Sequence, residues 1–359
     1  MKAAVLNRFG TPLSIENLPD PVLGTGEVIV DVAATCVLPY AAEVISNARR
    51  YMIEPPIVLG TGAIGRVRAI GPDATKLKVG DWVACDNTVR ARDDALTPDI
   101  VLQGWSARGE GGLQLQRYYH NGPWAQQIMV PTEAAVPIGK IDAADAARWT
   151  AMGLMLVPYG GLLAVDLKAG ETVVVSGATG NFGSASVVVA LAMGAGRVVT
   201  PGRNEAMLSE LFRRFGERVA PVKLTGDEQE DQRSIRYAAG APIDVVLDIL
   251  PPSVDARVVR TVAMTVREYG RIALMGGVGM LGGDDLALPY PWLMRNSITL
   301  RGQWMYPAAA NVSMARLIRS GLIDLDHWEV TTFDLDHANE AVATAAALGG
   351  PFRLVAITP

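Results

Sequence analysis

Residues Thr172 to Arg203 read TVVVSGATGNFGSASVVVALAMGAGRVVTPGR. The apolar run Val173–Val175 has the character of a strand buried on both faces of a parallel sheet. A glycine turn follows, Ala178-Thr179-Gly180-Asn181-Phe182-Gly183, and then an apolar stretch of helical period, Ala185 to Met193. A second β-branched strand, Val198–Thr200, ends in Gly202-Arg203. This strand–turn–helix–strand unit has the length a dinucleotide requires. Gly180 lets backbone approach a pyrophosphate, and Gly183 lets the helix pack close to the strand. Thr179, Asn181 and Phe182 complete a turn whose helix start offers free N–H groups to phosphate. Ala178 stands where the motif has its first glycine, so the reading rests on the surrounding elements.

The end of the second strand selects the cofactor. NAD sites place an acid there for the ribose hydroxyl, and NADP sites place a cation for the extra phosphate. Here the residues are Gly202-Arg203-Asn204, with no acid before Glu205. Gly202 clears space, Arg203 forks onto phosphate or stacks on adenine, and Asn204 donates. NADP(H) is the expected cofactor.

Composition agrees with a globular enzyme. The chain has 359 residues, 50% apolar and 19% charged, with 37 Gly and 22 Pro. That length suits two domains with large cores. The net charge of −5 is spread over both signs, which gives no footprint for nucleic acid. The most apolar stretch, Ala151–Val165, is too short and too interrupted by Pro158 and glycines to span a bilayer. The opening MKAAVLNRFG lacks the apolar core of a signal peptide. Cys36 and Cys85, the only cysteines, lie in apolar strand-like runs, as buried thiols of a reducing compartment do. A cytoplasmic protein with no membrane contact is expected.

Short β-like runs punctuated by Gly and Pro fill the first 150 residues: Glu27–Val32, Ile64–Ile70, Asp81–Cys85 and Gln126–Val130. Strands and helices then alternate, with candidate strands Thr172–Ser176, Arg197–Thr200, Val245–Leu247, Arg271–Met275 and Ser297–Gly302. Such alternation predicts a doubly wound parallel sheet. The last part predicts a helix (Val312–Ser320), a strand (Glu329–Phe333), a helix (His337–Ala347) and a strand (Arg353–Ile357).

Several ordered motifs resemble the medium-chain dehydrogenase/reductase superfamily. They are Pro21–Val32 (PVLGTGEVIVDV), Leu77–Val83 (LKVGDWV), Asn121–Gln126 (NGPWAQ) and Gly170–Val175. The resemblance implies an α/β chain made of a GroES-like β-barrel domain, residues 1–150 and 306–359, and a Rossmann domain, residues 151–305. Its zinc-dependent branch places three catalytic ligands where this chain has Leu38, Thr61 and Gly153. Leu38 and Gly153 cannot ligate zinc. The stretch corresponding to the structural zinc lobe, Asp86 to Pro123, has no cysteine. The chain therefore resembles the zinc-free, quinone-oxidoreductase-like branch, and no metal is expected. Pro39 fits that branch's Asn-Pro pattern with Leu38 in place of Asn.

Without zinc, another group must polarise the reacting bond. Tyr40 follows the position of a catalytic histidine, and Tyr51 lies where the branch often has a substrate-contacting tyrosine. Both are candidate proton donors. Tyr159 and His120 are weaker candidates. The resemblance puts the substrate in an interdomain cleft flanked by Leu38, Tyr40, Tyr51, Thr61, Trp105, Val157 and Val278. Gly276, Gly277 and Val278 would meet the nicotinamide, Gln303 and Trp304 would approach it, and Arg353 would reach the pyrophosphate. Such a pocket suits a small hydrophobic carbonyl, quinone or activated alkene. The competing reading is an NADPH-binding protein of structural, crystallin-like type with little activity. A homodimer is expected through edge pairing of Ser297–Gly302, since an unpaired sheet edge invites a second copy.

Overall fold

In the computed structural model, which describes residues 1–359, Thr172–Ser176 is a strand buried at every position. It lies inside a six-stranded, wholly parallel sheet. The order is Val219–Lys223, Arg197–Gly202, Thr172–Ser176, Val245–Asp248, Arg271–Leu274, Thr299–Gly302. The chain runs outward in one direction from Thr172–Ser176, then returns to build the other half. The strand order thus reverses beside that strand, where open α/β sheets bind ligands. Alternate residues feed opposite faces: Val173 and Val175 join the large core, and Val174 joins a second one with Val199, Val246 and Ile272. Both faces are covered, which explains the unbroken apolar run.

The elements differ from expectation mainly at their ends. Arg197–Gly202 extends past Thr200 because it pairs with Val219–Lys223, a strand not anticipated. The last sheet strand begins at Thr299, since Ser297 has φ 52°. The phosphate-turn helix spans Asn181–Ala192, starting at the turn itself. The apolar stretch from Ala151 forms a helix, Ala151–Ala164, with Pro158 inside it and buried residues on all sides. No helix is long and apolar enough to cross a membrane.

The largest sheet has seven strands. Its path is Ala135–Pro137, Trp82–Cys85, Ala63–Ile70, Glu27–Val37, Arg353–Ile357, Glu329–Phe333, with Gln127–Pro131 also pairing Glu27–Val37. The eleven-residue Glu27–Val37 strand carries two register shifts, at Ile29/Val30 and Val32/Ala34. Such irregularities bend a strand and let a sheet curl. Val28, Val30, Val67, Val83 and Ile128 fill the interior. Arg353–Ile357 pairs antiparallel with Thr35–Val37, so both ends of the chain build this barrel. The region Asp86–Pro123 forms a three-stranded sheet, Thr88–Arg90, Ile100–Leu102 and Ser106–Arg108, followed by the helix Gly109–Tyr118. Val89, Val101, Ala107, Leu113 and Tyr119 give this lobe its own core.

Candidate active site

The tight turn after Thr172–Ser176 is made by Gly177, with φ 95°, one residue before the motif's first position. A Cβ at Gly183 would lie 1.9 Å from the Gly177 carbonyl oxygen, so only glycine fits there. Gly180 caps the helix with the space above it open; a Cβ would meet only the Gly177 oxygen, at 3.4 Å. The first N–H groups of a twelve-residue helix face that space with the positive end of its dipole. Asn181 has a second task. Its Nδ2 donates to the Arg353 carbonyl at 2.7 Å, tying the last strand to the phosphate turn.

Gly202 sits beside this turn, with a virtual Cβ 3.0 Å from Thr179 Cγ2. Arg203 is exposed and makes no ion pair. Asn204 caps the helix Glu205–Phe215, its side-chain oxygen accepting from the Met207 N–H at 3.1 Å. Glu205, the nearest acid, is paired with Lys223, whose strand position is opposite Gly202. Arg353 is paired with Glu329.

A cleft of about 550 Å³ opens between the barrel and the carboxyl ends of the parallel strands. It gathers Leu38, Tyr40, Tyr51, Thr61, Trp105 and Val157 on one wall with Phe182, Gly276 and Gly277 on the other. Gln303, Trp304 and four methionines, Met52, Met275, Met280 and Met305, also line it. Val278 is not on its wall, and neither are Arg203, Asn204 or Arg353. Tyr159 is buried within the helix Ala151–Ala164, away from the cleft. His120 is held off it by the Pro56 carbonyl, 2.7 Å from Nε2.

Tyr40 stands just before the short helix Ala41–Ile45. Trp105 meets it edge-on with centroids 5.8 Å apart, and the Arg49 guanidinium lies 4.3 Å over its ring. Burial, with the neighbouring Tyr51 adding to it, pushes the Tyr40 hydroxyl well above the ordinary phenol range. Burial raises Tyr51 as well. Both hydroxyls therefore stay protonated and act as donors. Burial pushes the Cys36 and Cys85 thiols up to about 12, which keeps them unreactive.

The residues present do not fit zinc. Leu38, Thr61 and Gly153 share the cleft wall, yet only Thr61 has a polar side chain. Nowhere in the chain do three His, Cys, Asp or Glu side chains converge as a metal site.

Two buried acids stand behind the site: Asp248, which closes its strand as the sequence reading had it, and Asp86, which that reading missed. Asp86 accepts from Tyr306 Oη, from Asn311 Nδ2 and from the Thr88 N–H, each at 2.8 Å. It locks the start of the Asp86–Pro123 lobe to the segment that leaves the parallel sheet. Asp248 ends its strand with Oδ1 buried and unpartnered and Oδ2 close under Gly276. Burial pushes its carboxyl up to about 7, which Ser176 and the Leu250 N–H offset only in part. The folded chain thus binds this proton more tightly than the unfolded chain does. Its contribution to stability is full at acid pH and falls as pH rises from about 4 to 7. Asp248→Asn keeps the shape and removes the ionisation. The variant is expected to gain roughly 2–4 kcal/mol over the parent at pH 8 relative to pH 4.5. Thermal melts at the two pH values check this; an equal shift in melting temperature at both would refute it.

Comparison with known proteins agrees with this architecture. Residues 24–140 match the family described as alcohol dehydrogenase GroES-like domain. An alcohol dehydrogenase of Moraxella sp. (strain TAE123) is 30% identical over 202 residues, covering 54% of this chain and 56% of that protein. A sorbitol dehydrogenase of Bacillus subtilis is 23% identical over 354 residues, covering 96% and 93%. A thermostable alcohol dehydrogenase from Pyrobaculum aerophilum, solved with cobalt and zinc bound, superposes with a TM-score of 0.75 at 23% identity, covering 100% of this chain and 99% of that one. Residues 24–140 thus carry the alcohol dehydrogenase GroES-like domain, and the whole chain has the fold of the solved alcohol dehydrogenases. These relatives are named as alcohol and sorbitol dehydrogenases rather than quinone reductases, so these likenesses do not carry membership of the zinc-free branch.

Proposed function

We propose that the chain is a zinc-independent, NADP(H)-dependent reductase that delivers hydride to a hydrophobic carbonyl, quinone or activated alkene. The observation that carries this reading is the cleft itself. It is large and mainly apolar, it lies at the carboxyl ends of the parallel strands, and Leu38, Thr61 and Gly153 stand on its wall where a zinc set would need N, S or O donors. When bound, the nicotinamide cofactor supplies the hydride. The protein's own residues do the rest. Gly180, Gly183 and the helix start receive the phosphates, and Arg203 receives the extra phosphate. Phe182, Gly276 and Gly277 shape the wall beside the ring, with Val278 just beyond. Leu38, Trp105 and Val157 exclude water. Tyr40 or Tyr51 hydrogen-bonds the acceptor oxygen and gives it a proton. In this reading residues 151–305 bind the cofactor and residues 1–150 with 306–359 bind the acceptor. Two buried, unreactive thiols suit a reducing cytoplasm.

The test is steady-state NADPH oxidation against quinones, enones and ketones, with and without chelator, paired with elemental analysis. Turnover should survive chelation and no stoichiometric metal should be found. Stoichiometric zinc would refute the metal-free reading. NADPH binding with no acceptor turned over would leave a cofactor-binding protein instead.

A homodimer is part of the proposal. Thr299–Gly302 ends the parallel sheet, and all four residues are exposed. Tyr290, Met294 and Leu300 add exposed apolar surface at the same edge. Pairing two such edges about a two-fold axis would satisfy their free backbone groups. Light scattering should give twice the chain mass of 38.1 kDa; a monomer at micromolar concentration would rule this out.

A further inference from the structure

The chain carries 37 acids against 32 lysines and arginines, yet no Asp or Glu lines the cleft. Three arginines do: Arg49, Arg50 and Arg108. Arg49 is committed, with Nε 2.7 Å from Glu43 Oε2. Arg50 and Arg108 form no ion pair; Arg108 reaches only the Pro98 carbonyl, at 3.5 Å. Backbone pairing joins the two segments that carry them. Met52 and Ala107 form an isolated antiparallel bridge, and the Ala107 N–H donates to the Met52 carbonyl at 2.9 Å. Tyr51 is opposite Arg108 in that register, and Arg50 and Arg108 both line the cleft on the two segments so joined. Arg108 is steadied by Trp304, its guanidinium 5.3 Å from the ring centroid. Arg50 holds φ 53°, a conformation uncommon for a residue with a side chain, in a turn closed by its N–H to the Asn47 carbonyl.

We infer that the acceptor is amphipathic: an apolar body carrying an oxyanion, carboxylate or phosphate, at the end remote from the reacting carbon, held by Arg50 and Arg108. This rests on the reading of the cleft as the acceptor site. The apolar body fills the wall of Leu38, Trp105 and Val157, and the planar forks of the two arginines meet the oxyanion at the rim. Desolvation of an uncharged body with only one charged end makes the pair selective against both small anions and neutral chains.

The experiment is a binding titration followed by tryptophan fluorescence, since Trp105 and Trp304 line the cleft. The NADP⁺-saturated full chain is titrated with decanoate, decyl phosphate and decanol. Decanoate and decyl phosphate should bind at least about tenfold tighter than decanol, the scale of hydrogen bonds to a partly exposed charge. The stronger of the two identifies the oxyanion. In the Arg50→Gln/Arg108→Gln variant that difference should vanish. Equal binding of all three ligands by the parent would overturn the inference. So would a variant that weakens all three alike, or one that loses NADPH affinity instead. Because no turnover is read, a failed acceptor scan and a failed anion preference are distinguishable.

Discussion

Arg203→Asp should cost NADPH about 100-fold in affinity and bring NADH level with it or ahead. Arg203 is an exposed cation that no carboxylate holds, directly after the strand that ends beside Thr179. The nearest acid, Glu205, is taken up by Lys223. An extra phosphate at this point meets a free guanidinium fork and no competing anion. Removing the fork loses charge-assisted hydrogen bonds worth about 1.5–3 kcal/mol. The new carboxylate also repels the phosphate, while it accepts from a ribose hydroxyl. Equilibrium titration of both cofactors, followed by nicotinamide fluorescence, reads the effect. Equal affinities in the parent protein would sink the assignment of NADP(H).

The second large effect is expected at the tyrosines. Phe at whichever of Tyr40 and Tyr51 is the donor should lower kcat about 10²-fold, the low end for general acid catalysis, with little change in substrate binding. Burial raises both hydroxyls, so neither ionises in the neutral range. A neutral phenol can still protonate the strongly basic alkoxide that hydride addition creates, leaving a phenolate that takes its proton back from solvent. The reductive rate should therefore show no loss from tyrosine ionisation between about pH 6 and 9. Full kcat in both single variants would move the proton source to water, leaving only the hydride half of the mechanism. Deuterium transfer from labelled NADPH, located in the product, would separate C=O from C=C reduction.

The parts legible in the sequence are those whose signal is local. Thr172–Ser176, Glu329–Phe333 and Arg353–Ile357 coincide with their expected bounds because apolar pattern and turn residues agree there. Val219–Lys223 escaped because Pro221 sits in its middle; the strand tolerates it as the outer edge of the sheet. Gly109–Tyr118 escaped because Gly109, Gly111 and Gly112 weaken its helical character; burial of Leu113 against Val89 and Val101 overrides that. The Asp86–Asn311 hydrogen bond joins positions 225 apart, and no window of sequence contains both. Arg50 and Arg108 look like ordinary surface charges until the fold brings their segments to one cleft. Cofactor-loop residues were readable as a motif, whereas the cleft wall depends on which loops meet.

The pairing of Arg353–Ile357 with Thr35–Val37 has a consequence for how the molecule comes into being. Leu13 and Asn339 are joined by hydrogen bonds across 326 positions. The six parallel strands lie between these ends and pair with near neighbours in the chain. On the ribosome they can assemble while the last strand is still being made. The barrel, though begun first, must wait with one side of Thr35–Val37 unmatched until Arg353–Ile357 has been made. Closure of that long loop is the slow, late step that topology imposes. Through Asn181 and the Arg353 carbonyl, the same late strand fastens onto the phosphate turn, so the nascent chain gains its finished binding loop only when its barrel closes.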